Sequence, residues 1–425
     1  MKASVFHLLG KQTFLPLFLT QFFGAFNDNA YKLATLTLIS YFLSTSQGQS
    51  EQFQAIAGAL FILPFFIFSA TAGQLADKID KAKMTRVLKL FELMLMIFGG
   101  FGLYYGNIPI MMAILTGMGV HSTFFGPIKY AILPDHLPKK QLLAATSLIE
   151  GSTFLAILLG TTLGALGVGG ERSGALYAIL LTCSSALIGL LASQYIPPAR
   201  SKDNNLDVDW RVIRATNRMI KDIIRNTKIV PTLFAISWFW LIGAVILTKL
   251  PDYTNYVLNA ETPVFAVFLA LFSIGIAAGS LTINKILEGE VSLRLVPKAM
   301  LLLSVFACDL YWATPQQNKS LLSLTEFFWN IQHIRISLDL FFLAFFGGLF
   351  IVPLYTFLQV GSEGTHRART IAANNIFNAL FMVLGSLFVM LLIYLHVSIP
   401  GVFLILGILN AFAAGIFWIY FRAKD

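Results

Sequence analysis

Twelve stretches dominated by apolar residues recur along the chain, at roughly 14–43, 53–75, 84–104, 108–132, 141–169, 174–196, 229–256, 262–284, 294–313, 336–360, 369–395 and 399–421. Crossing about 30 Å of hydrocarbon takes a helix about 20 residues, which most of these runs supply. In that solvent a segment has to satisfy its own backbone amides, so the pattern predicts helices and not open sheets. Polar residues gather between the runs, and the longest polar segment, from Ile196 to Lys228, separates six from six. The expected fold is an all-α membrane protein with 12 transmembrane helices in two six-helix halves. An N-terminal bundle would occupy 1–196, a cytoplasmic basic linker with an amphipathic helix 197–228, and a C-terminal bundle 229–425.

Composition agrees with a bilayer as the solvent. Hydrophobic residues make up 57% of the chain and charged residues 12%, against about 25% charged in soluble domains. The net charge of +9 could suggest nucleic acid as a partner, but its distribution points elsewhere. Basic residues such as Lys2, Lys11, Lys83, Lys139, Lys140, Lys298 and Lys424 fall in one alternating set of connections, whereas the other set holds little beyond Arg172, Lys319 and Arg335. By the positive-inside rule both termini and the middle linker are expected in the cytoplasm. Of the two cysteines, Cys183 and Cys308, each lies inside an expected span, and the six histidines do not cluster. No metal site and no cofactor is expected. The first apolar stretch is too long for a cleavable signal and is expected to remain as the first span.

Finer patterns add detail. Val212, Ile213, Ala215, Met219, Ile220 and Ile223 alternate with charges at near-helical spacing, which predicts a basic amphipathic helix on the inner leaflet. A trace of duplication links Pro127 to Thr146 with Pro353 to Asn374, as a parallel repeat about an axis normal to the membrane requires. Between Thr314 and Ser337, aromatic and leucine residues suggest an interfacial helix. Gly160 with Gly164, and Gly275 with Gly279, read as close helix packing.

Candidate chemistry begins in the first span with Phe26-Asn27-Asp28-Asn29-Ala30-Tyr31-Lys32. A charged group at that depth costs several kcal/mol and is kept where it meets a cavity or a partner. Asp28 and Lys32 share a helix face and could neutralise each other; alternatively, Asp28 lines a polar cavity and meets a cationic substrate group, a proton or a conformational partner. Lys129, Glu150, Lys249 and Tyr355 are further membrane-depth candidates, and Asn374, Asn375 and Asn378 read as interhelical hydrogen-bonding residues. Between the second and third spans stands Gly73-Gln-Leu-Ala-Asp77-Lys78-Ile-Asp80-Lys81-Ala-Lys83. Gly73 permits close helix approach, and Asp77 is placed to cap the following helix or to pair with a basic group.

This loop resembles the G-x-x-x-D-R/K-x-G-x-K/R signature of the major facilitator superfamily, with Asp80 where that pattern has glycine; Gly73, Asp77, Lys78 and Lys81 would form its conformational switch. Within the superfamily, Phe-Asn-Asp-Asn in the first span, Phe125-Gly-Pro-Ile-Lys129-Tyr-Ala-Ile-Leu-Pro and Ala144-Ala-Thr-Ser-Leu-Ile-Glu150-Gly resemble the bacterial lysophospholipid transporter family. They also resemble the transporter domain fused in some bacteria to an acyltransferase and an acyl-carrier-protein ligase. The resemblance implies a secondary transporter that moves lysophospholipids, chiefly lysophosphatidylethanolamine, from the outer to the inner leaflet of the bacterial inner membrane by alternating access. It places Asp28 at the functional acidic position of the first span, with Asn29, Lys129 and Glu150 inside matching motifs. The partners it implies are the lysophospholipid, membrane lipids and a separate acyltransferase or ligase. From the chemistry alone, Asp28 could receive a headgroup ammonium, and Lys32, Lys129 or Lys249 its phosphate.

Competing readings are a proton-coupled exporter of drugs or siderophores, an intramembrane enzyme and a scaffold for an acyltransferase. Neither an H-x-x-x-x-D acyltransferase pattern, nor G-x-S-x-G, nor a P-loop occurs, so a transporter is expected and an enzyme is not.

Overall fold

The computed structural model describes residues 5–168, 174–315 and 321–422; Lys2, Arg172, Lys319 and Lys424 lie outside the described residues. Among the described residues, twelve helices have 18 residues or more: α1 Leu15–Leu38, α2 Gln47–Lys78, α3 Lys81–Tyr105, α4 Ile108–Ala131, α5 Lys139–Leu166, α6 Gly174–Gln194, α7 Val230–Asp252, α8 Thr262–Ile286, α9 Val296–Ala313, α10 Ile331–Gly361, α11 Arg367–Tyr394 and α12 Ile399–Arg422. Extended pairing among the described residues is confined to the bridge between Ala260 and Leu322. Eleven of the twelve are long and apolar enough to cross a membrane. The exception is α1, where Asn27, Asp28, Asn29 and Lys32 dilute the apolar run. Its 24 residues still give about 36 Å of helix.

Local chemistry sets the helix boundaries. Asp80 accepts a hydrogen bond from the Lys83 amide at 3.0 Å and starts α3; Gly106, at φ 65°, ends it in the left-handed conformation. Asn107 then caps α4 through the Ile110 amide at 3.1 Å. Prolines stand in the first turn of α1, α4, α7, α8 and α9, where the missing N–H has no intrahelical partner to lose.

The solvent is legible in α3. Val87, Leu90, Met94, Phe98 and Phe101 form an exposed apolar stripe, while Lys89 and Glu92 are fully buried. This inverts the arrangement of a helix on a water-soluble protein and suits lipid outside with a paired polar interior. The protein is a multi-pass membrane protein.

Two compact units organise the chain: Met1–Ala145, Leu155–Thr227 and Gln359–Ile376 form one, and Thr146–Phe154, Lys228–Leu358 and Phe377–Asp425 the other. In the first unit α1 packs on α6, α2 on α4, and α3 on both α4 and α6; in the second, α9 packs on α12. The glycine pairs act as their spacing predicts. A Cβ at Gly160 or Gly164 would strike the α1 backbone at Phe26 and Ala30, and one at Gly275 or Gly279 the α10 backbone at Phe341 and Phe345.

The linker helix, Val212–Ile224, buries Ala215, Met219 and Ile223 against α2. The interfacial helix is shorter than its apolar residues suggest. It covers Leu324–Phe328, closed by a capping box in which Ser323 and Glu326 bond reciprocally, and only Phe327 of it is buried.

Candidate functional site

Inside the first unit, α1, α3 and α4 bring together a polar centre. Asn27 donates from Nδ2 to Glu92 Oε1 at 2.8 Å. Lys89 pairs with Glu92 Oε2 one turn away on α3, and His121 Nε2 of α4 approaches that oxygen at 3.3 Å. The Lys89 ammonium fits beneath α1 because residue 24 is glycine: a Cβ there would lie 2.5 Å from Nζ. It also lies over the Phe125 ring, 5.3 Å from the centroid. Two charged groups without solvent contact are tolerated at this depth because each offsets the other's desolvation, and removing either would strand its partner.

Asp28 stands beside this centre, with Glu92, Lys89 and Lys129 as its charged neighbours. Its Oδ2 accepts a hydrogen bond from Ser122 at 2.6 Å. Its Oδ1 is buried without a partner, as are Asn27 Oδ1 and both ring nitrogens of His121, whose approach to Glu92 lacks hydrogen-bond alignment. A buried carboxylate oxygen in want of a donor is a natural receptor for an ammonium group.

The other first-span candidates point elsewhere. Asn29 donates to its own helix at Ala25 O, 2.8 Å away, and the Lys32 ammonium lies over the Phe61 ring at 5.8 Å. Asp28 and Lys32 form no direct ion pair at this spacing of four residues, but Asp28 remains the charged neighbour of Lys32. Lys129 lies over the Tyr130 ring at 4.7 Å. Lys89, Glu92 and His121 were not legible as a site. The signal available was an opposite-charge pair three residues apart within an apolar run; which histidine completes it depends on how α3 and α4 pack.

A second network, at the loop between α2 and α3, involves the stretch Gln359–Ile376 of the same unit. Asp77 accepts from the amides of Ala368 at 2.9 Å and Arg369 at 3.2 Å, and from Arg369 Nε at 3.0 Å. It thus caps α11; the expected cap on the following helix is made by Asp80 instead. Gly73 is required beside it, since a Cβ would come within 2.8 Å of Arg369 Cα. Asp80 has φ −56°, a value any residue adopts, so the glycine of the superfamily pattern is not needed in this turn. Around the cap, Asp135 meets Lys81 at 3.1 Å, Lys202 at 3.1 Å and Arg367 at 3.5 Å. Lys78 is half-buried and enters none of these contacts among the described residues.

The second unit holds a cluster of neutral side chains joined by hydrogen bonds. Trp240 Nε1 donates to Tyr355 Oη at 2.9 Å, and Ser237 donates to Asn378 Oδ1 at 2.8 Å. Glu150 is buried at 1% exposure, and Gly151 lies against Ala277 of α8. Lys249 pairs with Asp252 at 2.8 Å. Asn378 is the interhelical hydrogen-bonding residue expected, whereas Asn374, in the first unit, is buried with neither amide atom bonded.

A family model described as the Major Facilitator Superfamily matches residues 17–322. The chain belongs to that superfamily. Solved superfamily structures share the fold: the proton:xylose symporter XylE with TM-score 0.71 at 14% identity, covering 97% of this chain and 96% of that one, and the human organic anion transporter MFSD10 with TM-score 0.73 at 14% identity, covering 95% and 99%. Among curated superfamily relatives, the lysophospholipid transporter LplT of Klebsiella pneumoniae (strain 342) is 27% identical over 421 residues, 96% of each chain. That of Escherichia coli O157:H7 is 27% identical over 415 residues, 95% of this chain and 94% of the other.

Proposed function

We propose that this superfamily member is a lysophospholipid transporter of the bacterial inner membrane, moving chiefly lysophosphatidylethanolamine from the outer to the inner leaflet, and that it is not an enzyme. The observation that carries this reading is the Asp28 carboxylate, buried in α1 with Oδ1 unpartnered, in a chain similar over nearly its whole length to proteins named lysophospholipid transporters. The headgroup ammonium approaches Asp28 Oδ1, close to Asn27, whose Oδ1 is likewise without a hydrogen bond, while the single acyl chain stays among apolar side chains. Lys129, a charged neighbour of Asp28, is placed to attract the phosphate; Lys249, paired with Asp252, is secondary.

The halves 1–196 and 229–425, joined by the linker 197–228, expose the site alternately to the two leaflets. The Asp77 cap on α11, with Gly73 and Lys81, holds one of these states. Both termini and the linker lie in the cytoplasm, and the internalised lipid passes to a separate acyltransferase or ligase.

Leaflet translocation of fluorescent lysophosphatidylethanolamine in proteoliposomes tests the reading, with Asp28→Asn alongside the native chain. Rapid translocation by the native protein and loss of at least 90% of the rate in the variant is expected; about 1.4 kcal/mol corresponds to that factor of ten. Equal rates, or efflux of unrelated cations in place of lipid movement, would sink it.

A further inference from the structure

The linker helix, Val212–Ile224, does not lay its whole apolar face on a leaflet as its sequence predicts. Ala215, Met219 and Ile223 of that face are buried against α2, so what the helix offers outward is set by its other residues. Arg211 at its start, Arg214, Arg218 and Lys221 within it and Arg225 at its end recur every three or four positions, which places them on one stripe. All five line a single surface groove of about 830 Å³.

Little in the protein answers this charge. Asp209 stands 3.6 Å from Arg214 Nε and 4.0 Å from Arg218 Nη1, beyond hydrogen-bond distance, and Asp222 shares the groove. Among the described residues no ion pair engages Arg211, Lys221 or Arg225. Five cations facing two carboxylates leave the groove in want of anions.

Depth decides where the anions come from. The 32 residues of α2 make about 48 Å of helix, against about 30 Å of hydrocarbon. Near its Lys78 end, Gln74 Oε1 accepts a hydrogen bond from the Asp209 amide at 2.8 Å. The linker helix therefore lies where a spanning helix leaves the hydrocarbon and phospholipid phosphates begin. Beside the basic stripe, Trp210, Ile213 and Ile224 are exposed. Apolar side chains next to cations match the boundary between acyl chains and headgroups, where tryptophan is favoured; a nucleic-acid backbone would leave the isoleucines in water.

We infer that the linker helix is a docking site for anionic phospholipid of the phosphatidylglycerol class, with the basic stripe on the headgroup phosphates and Trp210, Ile213 and Ile224 among the upper acyl carbons. A zwitterionic headgroup brings an ammonium that the stripe repels, so this site selects net negative charge, the opposite of the Asp28 centre. Its ligand is a lipid of the surrounding bilayer and not the cargo, and the inference does not rest on the proposed function.

The test places the full chain in phosphatidylcholine nanodiscs and replaces a rising fraction of the lipid with phosphatidylglycerol brominated on its upper acyl carbons. Quenching of Trp210 is read as the difference between the native chain and Trp210→Phe. Half-quenching is expected at a mole fraction about a hundredfold below that of brominated phosphatidylcholine, the worth of three unmatched charges at a membrane surface. Lys221→Gln should lower this preference about fivefold, and Arg211→Gln with Lys221→Gln and Arg225→Gln should erase it. Arg211→Lys with Arg225→Lys, which keeps the charge, should retain it. Salt at about 1 M, where the Debye length is about 3 Å, should shrink it by about tenfold or more. Equal quenching by the two lipids, or a preference that survives the triple substitution, overturns the inference. So does relief of quenching by soluble glycerol phosphate or by an oligonucleotide at matched phosphate concentration, which would assign the stripe to free phosphate or to nucleic acid. Translocation of lysophosphatidylethanolamine by the same samples reports on Asp28 separately: none, with the preference intact, upholds this docking site and overturns the proposed function alone.

Discussion

The polar centres of the two units are built from different chemistry. Around Asn27 and Asp28 in the first unit stand Lys89, Glu92 and His121, ionisable groups shut away from solvent. In the second unit Ser237, Trp240, Tyr355 and Asn378 meet through hydrogen bonds between neutral groups. Neutral pairs hold α7, α10 and α11 together at small cost, whereas each buried charge depends on its partner. On the proposed function, substrate chemistry belongs to the first centre and helix packing to the second, and this contrast sets the order of the effects that substitution should have.

The largest effect belongs to Glu92→Leu, which strands the Lys89 ammonium and should destabilise the detergent-solubilised protein by about 3–5 kcal/mol. Thermal unfolding followed by intrinsic fluorescence reads this, and adding Lys89→Met should restore most of the loss. If the single variant unfolds like the native chain, the first centre is solvated and the contrast fails. Next comes Asp77→Ala, which removes a cap and an ion pair worth about 1–2 kcal/mol. Its readout is local: a cysteine placed at the buried Ala372 should react about tenfold faster with a maleimide once α11 loses its cap. Tyr355→Phe removes the hydroxyl that accepts from Trp240 at 2.9 Å and, at a long 3.5 Å, from Asn378, and a change of about 1 kcal/mol in stability is expected. A far larger loss would give the second centre a role it lacks here. Smallest of all is Asn29→Ala, since among the described residues the Asn29 side chain bonds only its own helix; stability within about 0.5 kcal/mol and an unaltered translocation rate are expected.

How far the sequence carries is clearest in particular residues. Apolar period and basic loops are local properties, so the twelve helices and the Gly73 to Lys81 loop could be read directly. Asp28 stood out because a carboxylate in a first span breaks an otherwise apolar run. Its partner Ser122 could not be read, because it depends on the rotation of α4 against α1. Glu92 and Lys89 sit among apolar neighbours where a charge pair reads as ordinary helix decoration, and only the burial of that face of α3 distinguishes them. The helix that Asp77 caps lies 291 positions away, a distance that no local pattern spans.

The account rests on an ammonium meeting the open oxygen of Asp28, and a double-mutant cycle between protein and headgroup measures that contact. Binding of lysophosphatidylethanolamine and of its N-acetylated analogue, which lacks the cation, would be determined for the native chain and for Asp28→Asn by fluorescence titration. Removing the cation should weaken native binding by about 1.5–3 kcal/mol and the variant's binding hardly at all, leaving a coupling energy of that size. Equal losses in both proteins, with no coupling, would contradict the account.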